Sequence, residues 1–293
     1  MSISAALVKE LRERTGAAMM DCKKALQATD GDIDAAIEKM RKDGMAKADK
    51  KASRVAADGT IAIVERDNAV AMVEVNSETD FVAKNEEFMA LADKVATLAI
   101  EHRPVDVDAL LAIDDGNGTL EEQRRALIAK LGEKMDIRRF VVVDNAGGPI
   151  ATYRHGQRIG TVVALTAGDD AELARDLAMH IAASNPQYRN AEDVPADVRA
   201  SEKEILKSQA EDSGKPAEII EKMIEGRLRK YLAEITLYGQ PFVKDPDTTV
   251  EKLLKQKSTD VAQYVRFEVG EGIEKQESDF ASEVKATAQA TAG

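Results

Sequence analysis

The 293-residue chain has one cysteine and no tryptophan, and aromatic residues make up only 4% of it. The lone Cys22 excludes an intrachain disulfide framework and a thiolate metal site. On an apolar helical face it reads as core filler in preference to a nucleophile. His102, His155 and His180 are the only histidines and are never paired at ligand spacing, so no metal ion and no cofactor is expected. With so few aromatics, Ala, Leu, Ile and Val carry most of the hydrophobic 44%, which favours thin aliphatic cores. No apolar run approaches the roughly 18 residues of a membrane span. The start, MSISAALVKE, lacks the basic residues and apolar stretch of a secretory leader. A cytoplasmic location with no membrane partner is the expectation.

Other absences bear on chemistry. There is no GxxxxGK[ST] loop, no GxGxxG between strand and helix, and no GxSxG elbow. Gly214-Lys215 is followed by Pro216 and reads as a turn. The many carboxylates sit in helix-surface patterns, from which no acid–base pair stands out. The expectation is a protein that binds no nucleotide itself and is not an enzyme. The net charge of −12 argues against nucleic acid as the main partner, since phosphate binding needs a cationic surface. That charge is uneven: residues 1–54 carry 12 Lys/Arg against 9 Asp/Glu, a balance of +3, which leaves −15 for the rest. A basic head on an acidic body fits two surfaces with different partners, and equally a merely solvated exterior.

What is present is mostly helical punctuation and two β-rich hairpins. Residues 1–45 predict three short helices: Ser4–Arg14 with Ala6, Leu7 and Leu11 on one face, Met19–Ala28 with Met19, Cys22 and Leu26 inward, and a third capped by Asp32. Ala36, Ile37 and Met40 form the stripe of the third helix, and Gly44 is read as its end. Residues 46–57 read as a linker, helical in part. Beyond it, Thr60–Val64 and Ala69–Val75 flank Asp67-Asn68, and Ile150–Tyr153 and Gly160–Leu165 flank His155-Gly156, both hairpin signals.

An amphipathic helix follows each hairpin, Glu86–Ile100 and Ala171–Ser184, and a closing strand follows later, Ile137–Val143 and Tyr264–Val269. The chain therefore reads as α+β, with two related units (58–145 and 146–274), each a three-stranded antiparallel sheet covered by helices. The second unit carries an insertion at about 197–234, an antiparallel helical hairpin with Ile205, Leu206, Ile219, Ile220, Met223 and Ile224 along a shared seam. Residues 275–293 read as a short C-terminal helix over Ser278–Val284 and a frayed tail.

One segment stands apart: Ser77-Glu78-Thr79-Asp80-Phe81-Val82-Ala83-Lys84-Asn85 holds about four residues that the second unit lacks. Thr79 or Asp80 can serve as an N-cap there, with Phe81 as a hydrophobic staple. The alternative is a protruding tip that shows a carboxylate beside an aromatic wedge, a pairing suited to disturbing a partner's site.

At these residues the chain resembles the bacterial elongation factor Ts family. Leu11–Gly16 with Asp21–Leu26 is similar to the family's opening signature, and Glu74–Asn85 to its second. Further similarities are Tyr153–Gly156 with Arg158–Gly160, then Gly239–Val243 and Arg266–Lys275. Ala18 stands where many relatives have Gly, a departure in a helix turn that touches no functional residue. The resemblance implies a ubiquitin-associated-like (UBA-like) three-helix head, a two-unit α+β core, a projecting coiled coil and a C-terminal helix. It implies a guanine-nucleotide exchange factor that binds elongation factor Tu, in GDP-bound and nucleotide-free forms, and releases its GDP. Asp80, Phe81, Val82 and Ala83 would then form the segment that disturbs the partner's Mg²⁺, with Phe81 as the wedge. Lys23 in the head, Thr79, His155 and Phe280 would be further partner contacts.

Alternatives stay open at this level. One is a scaffold protein of the translation machinery whose binding ignores the partner's nucleotide state. His155 reads as a hairpin-turn residue in preference to an important partner contact, and the helical hairpin serves equally as a partner-binding arm or as decoration. Self-association, through sheet edges or the hairpin, is left open too.

Overall fold

The computed structural model describes residues 3–211 and 216–274. The expected C-terminal helix with Phe280, and most of the 212–216 turn, lie outside the described residues. The rest divides into two compact units, one built from 3–62, 73–140 and 269–274, the other from 63–72 and 141–268.

The chain opens with three helices, α1 (Ala5–Thr15), α2 (Met19–Ala28) and α3 (Ile33–Asp49). Ser4 caps α1 and Asp32 caps α3, each accepting a backbone N–H of the first turn, and Gly16 ends α1 in the left-handed region at φ 64°. Val8, Leu11, Cys22, Ala25, Leu26 and Ala36 make a small buried cluster, with Leu7, Ile37 and Met40 at its edge. Two inward assignments are corrected. Ala6 faces solvent, because α1 buries Val8 and Leu11 instead. Met19 shares the face of Cys22 but sits in the first turn of α2, beyond the reach of so small a cluster, and is 58% exposed.

Gly44 does not end α3. The helix runs on to Asp49, because α3 packs against α7 (Leu120–Leu131), and a Cβ added at Gly44 would lie 3.2 Å from the Ala129 Cβ. Glycine at this position allows a close helix–helix approach, and that packing outweighs its poor helix propensity.

Strands β1 (Asp58–Arg66) and β2 (Ala69–Ser77) meet at the Asp67-Asn68 turn, where Asp67 takes φ 42°. β3 (Met135–Asp144) completes a sheet in the order β1-β2-β3. Every residue of the central strand β2 is buried. Between β2 and β3 lie α4 (Asp80–Ala83), α5 (Glu86–His102), α6 (Val107–Leu111) and α7. Asn85 caps α5, which buries Phe88, Leu91, Ala92, Val95, Ala96 and Ala99 at helical spacing.

The second sheet repeats this order. β4 (Ile150–His155) and β5 (Ile159–Leu165) form an antiparallel hairpin, with Ile150 opposite Ala164 and His155 opposite Ile159. β8 (Val261–Glu268) pairs antiparallel with β5, with a register shift at Ala164/Leu165. α8 (Ala171–Ser184) contributes Leu173, Ala174, Leu177, Ala178 and Ile181 to the core of this unit.

Helices α9 (Ala196–Glu211) and α10 (Ala217–Ile235) pack side by side around Leu206, Ala210 and Ile224. Leu206 and Ala210, like Ile220, Ile224 and Leu228, are four residues apart and share one stripe. Ile205 and Ile219, expected on that seam, stand one residue off it and are 49% and 47% exposed. A short ribbon of β6 (Pro241–Phe242) and β7 (Asp245–Thr249) precedes α11 (Val250–Gln256). Among the described residues no helix is long and apolar enough to cross a membrane.

Candidate functional site: the clamped tip after β2

Strand β2 ends buried at Ser77, and the chain then turns outward. The Ser77 hydroxyl donates to the Thr79 carbonyl at 2.9 Å, which tightens the bend. Thr79 has extended backbone angles and caps α4, its hydroxyl accepting from the Val82 N–H at 3.4 Å. The single turn of α4 closes with Ala83 N–H on the Thr79 carbonyl and Lys84 N–H on the Asp80 carbonyl. Ala83 is buried and pins the turn from below.

Phe81 points the other way and is 83% exposed. It is therefore not a staple: the capping half of that expectation holds for Thr79, the packing half does not for Phe81. A ring held in water is an unmade apolar contact, worth about 2–3 kcal/mol if a partner buried it fully. Beside it the Asp80 carboxylate accepts from the Lys84 ammonium at 2.7 Å. That hydrogen bond, more than anything else around it, holds the Asp80 carboxyl below the usual carboxylate range.

The tip is tied to the unit by groups remote in sequence. The Thr79 N–H donates to Glu133 Oε2 at 3.0 Å and the Thr79 hydroxyl donates to Glu133 Oε1 at 2.7 Å. In return the Lys134 N–H donates to Glu78 Oε1 at 2.6 Å, and Arg54 lies 3.3 Å from the same carboxylate.

Below the tip, β2 carries a buried ion cluster. Glu74, fully buried, accepts from Arg138 at 3.0 Å, Arg139 at 2.6 Å, Asn76 at 3.1 Å and the Gly270 N–H at 2.8 Å. Burial alone would push its carboxyl up and is the largest single influence. The Gly270 amide, Asn76 and the two guanidinium groups together outweigh it and leave the carboxyl below its ordinary range.

The other expected contacts stand separately. Lys23 is exposed on α2, and helical spacing sets it on one face with Met19 and Met20, which are 58% and 60% exposed. Those two methionines were missed as surface residues; two adjacent large apolar residues starting a polar helix were the available signal. His155 ends β4 on the surface, its Nδ1 3.4 Å from the Tyr153 hydroxyl. The missed histidine is His180, buried in α8, whose Nδ1 accepts the Val243 N–H at 3.2 Å while Nε2 meets Gln240 Oε1 at 3.0 Å. Among the described residues no group of three or more His, Cys, Asp or Glu side chains is placed to hold a metal ion.

Comparison with known proteins bears on the whole chain. Residues 78–271 match the profile of the family described as elongation factor TS. The chain is 55% identical over 291 residues to elongation factor Ts of Alkalilimnicola ehrlichii, covering 99% of both proteins. It is 56% identical over 286 residues to that of Idiomarina loihiensis, covering 98% of this chain and 97% of the relative. It is 57% identical over 292 residues to that of Thioalkalivibrio sulfidiphilus, covering 99% of both. The chain belongs to the elongation factor Ts family of translation elongation factors.

Proposed function

We propose that this chain is a guanine-nucleotide exchange factor with no catalytic chemistry of its own, which binds elongation factor Tu·GDP in the cytoplasm and drives GDP off it. The observation that carries this is Phe81: an aromatic ring left 83% exposed at the end of a one-turn helix that is clamped to a folded core. Asp80 stands next to it as a carboxylate. An apolar wedge parts packed elements of a partner, and a carboxylate competes for the cation or displaces the phosphate that the cation holds. In a GTPase that cation bridges phosphates and protein, so disturbing it removes a dominant contact. Val82 and Ala83 complete the segment.

The finer architecture goes with this reading. Helices α1–α3 serve as a UBA-like head that offers Lys23 to the GTPase domain, and α9 with α10 forms a projecting coiled coil. His155, and Phe280 in the C-terminal segment, hold other parts of the partner. Loosening GDP a thousandfold needs about 4 kcal/mol of coupling, and the full burial of one Phe supplies roughly 2–3 of that. Head and second unit therefore share the load.

Linkage makes this testable at equilibrium, because a factor that weakens GDP must be weakened by GDP to the same degree. Titration calorimetry of this protein into nucleotide-free and GDP-saturated elongation factor Tu should give affinities that differ by about a thousandfold. Equal affinities would replace the exchange factor with a scaffold indifferent to nucleotide.

A further inference from the structure

We infer that Glu133 is the positioning residue of the wedge, setting the aim of Phe81 and Asp80 through Thr79 without touching the partner. The inference rests on the proposed exchange function and adds a residue to it that lies 54 positions downstream of Thr79.

The geometry is that of a two-point clamp. Gly132 ends α7 at φ 83°, in the left-handed region, which turns the chain so that Glu133 faces back toward the end of β2. Both carboxylate oxygens are used on one residue: Oε2 takes the Thr79 amide and Oε1 takes the Thr79 hydroxyl. A bidentate, charge-assisted contact fixes orientation as well as distance. It sets the Thr79 peptide plane and selects the hydroxyl rotamer at once.

That rotamer matters because the same oxygen accepts the Val82 N–H. The chain of bonds runs from Glu133 through Thr79 Oγ1 to Val82, and Phe81 is held between Thr79 and Val82. The reciprocal bond from the Lys134 N–H to Glu78 prevents the pair of segments from pivoting about a single contact. A four-residue helix has too few internal hydrogen bonds to hold its own axis. Glu133 supplies that direction from outside. Rate depends steeply on such aim, since misplacing an acting group by about 1 Å can cost around a hundredfold.

The experiment is stopped-flow release of a fluorescent GDP from elongation factor Tu, run as a concentration series so that saturating rate and half-saturating concentration separate. Wild type, Glu133→Ala, Glu133→Gln, Phe81→Ala and the Glu133→Ala/Phe81→Ala double variant are compared. Glu133→Ala should lower the saturating rate about tenfold or more while moving half-saturation less than about threefold, because the rest of the interface is intact. Glu133→Gln keeps the shape and one acceptor oxygen, so it should fall between wild type and Glu133→Ala. In the Phe81→Ala background Glu133→Ala should cost less than it does alone, because only Asp80 is then left for it to aim.

A full Glu133→Ala effect that persists without Phe81, or one confined to half-saturation, overturns the inference, as does a Glu133→Ala rate equal to wild type. Should Glu133→Ala fold poorly, Glu133→Gln alone decides, by a lowered saturating rate or an unchanged one. A wild type that does not accelerate release overturns the exchange function itself, and the inference falls with it.

Discussion

The Asp80 carboxylate and the Lys84 ammonium lie 2.7 Å apart across the single turn of α4, both exposed to water. The carboxylate proposed to act on a partner's cation thus carries its own counter-ion in the free protein. Its charge is muted until a stronger field competes for it.

That relationship is readable by titration. In a carbon-detected NMR titration Asp80 should lose its proton at a lower pH than an ordinary aspartate, because the Lys84 hydrogen bond favours the ionised form. In Lys84→Met its pKa should rise toward the ordinary aspartate range, because the largest lowering contact is gone. An unchanged Asp80 titration in that variant would mean that the pair does not persist in solution.

Glu74 should matter for stability. Glu74→Ala leaves Arg138 and Arg139 without their shared carboxylate and the Gly270 N–H without its acceptor, at a cost of about 2–4 kcal/mol. The pH sign follows from its lowered folded-state pKa. The contribution is complete above the unfolded glutamate value, about 4.3, and is lost as pH falls through the folded value. Denaturant unfolding from pH 7 to 3 should show this fall in wild type and a shallower one in Glu74→Gln.

His180 should act in a separate window. Burial, its main influence, lowers its pKa, the Gln240 contact opposes this, and the Val243 N–H needs an unprotonated Nδ1. An unfolded histidine takes up a proton near pH 6.5. The stability due to neutral His180 is therefore complete above that pH and is lost as pH falls through the lower folded value. Stability should drop in wild type as pH falls below about 6.5, and His180→Gln, which cannot titrate, should remove that drop. A pH-independent wild type over this range contradicts the buried neutral histidine.

Gly44 gives the clearest packing test. Gly44→Leu drives a side chain into Ala129, 3.2 Å from where a Cβ would stand, and should destabilise the protein by about 1–3 kcal/mol despite the better helix propensity of leucine. Thermal unfolding of the variant checks it; a stabilised variant would mean that α3 and α7 are not in contact.

The same glycine marks where the sequence stopped being informative. Gly44 looked like a helix end because local propensity favours that; only its contact with α7, remote in the chain, explains why α3 continues. α7 itself went unread, since it buries only Leu120, Leu127 and Ile128 among charged neighbours and shows little periodicity. The hairpins were legible because a strand's period of two and a turn such as Asp67-Asn68 are local signals. Of the candidate site, the odd length of the loop after β2 sets the segment apart. The roles of Asp80 and Phe81 come from the family resemblance, and the exposure of Phe81 is visible only in the fold. The segment's anchor could not be picked out, because nothing local distinguishes Glu133 among 53 acidic residues. His180 was likewise invisible, its partners Gln240 and Val243 lying some sixty residues away.

The most direct test of the account is the rate at which fluorescent GDP leaves elongation factor Tu when wild type, Asp80→Ala or Phe81→Ala is added with excess unlabelled GDP. Wild type should speed release by orders of magnitude. Each variant should lose much of that gain at saturation while still binding, with an unfolding midpoint close to wild type because both side chains are exposed. A wild type that binds yet leaves GDP release unchanged, or a Phe81→Ala variant as fast as wild type at saturation, would contradict it.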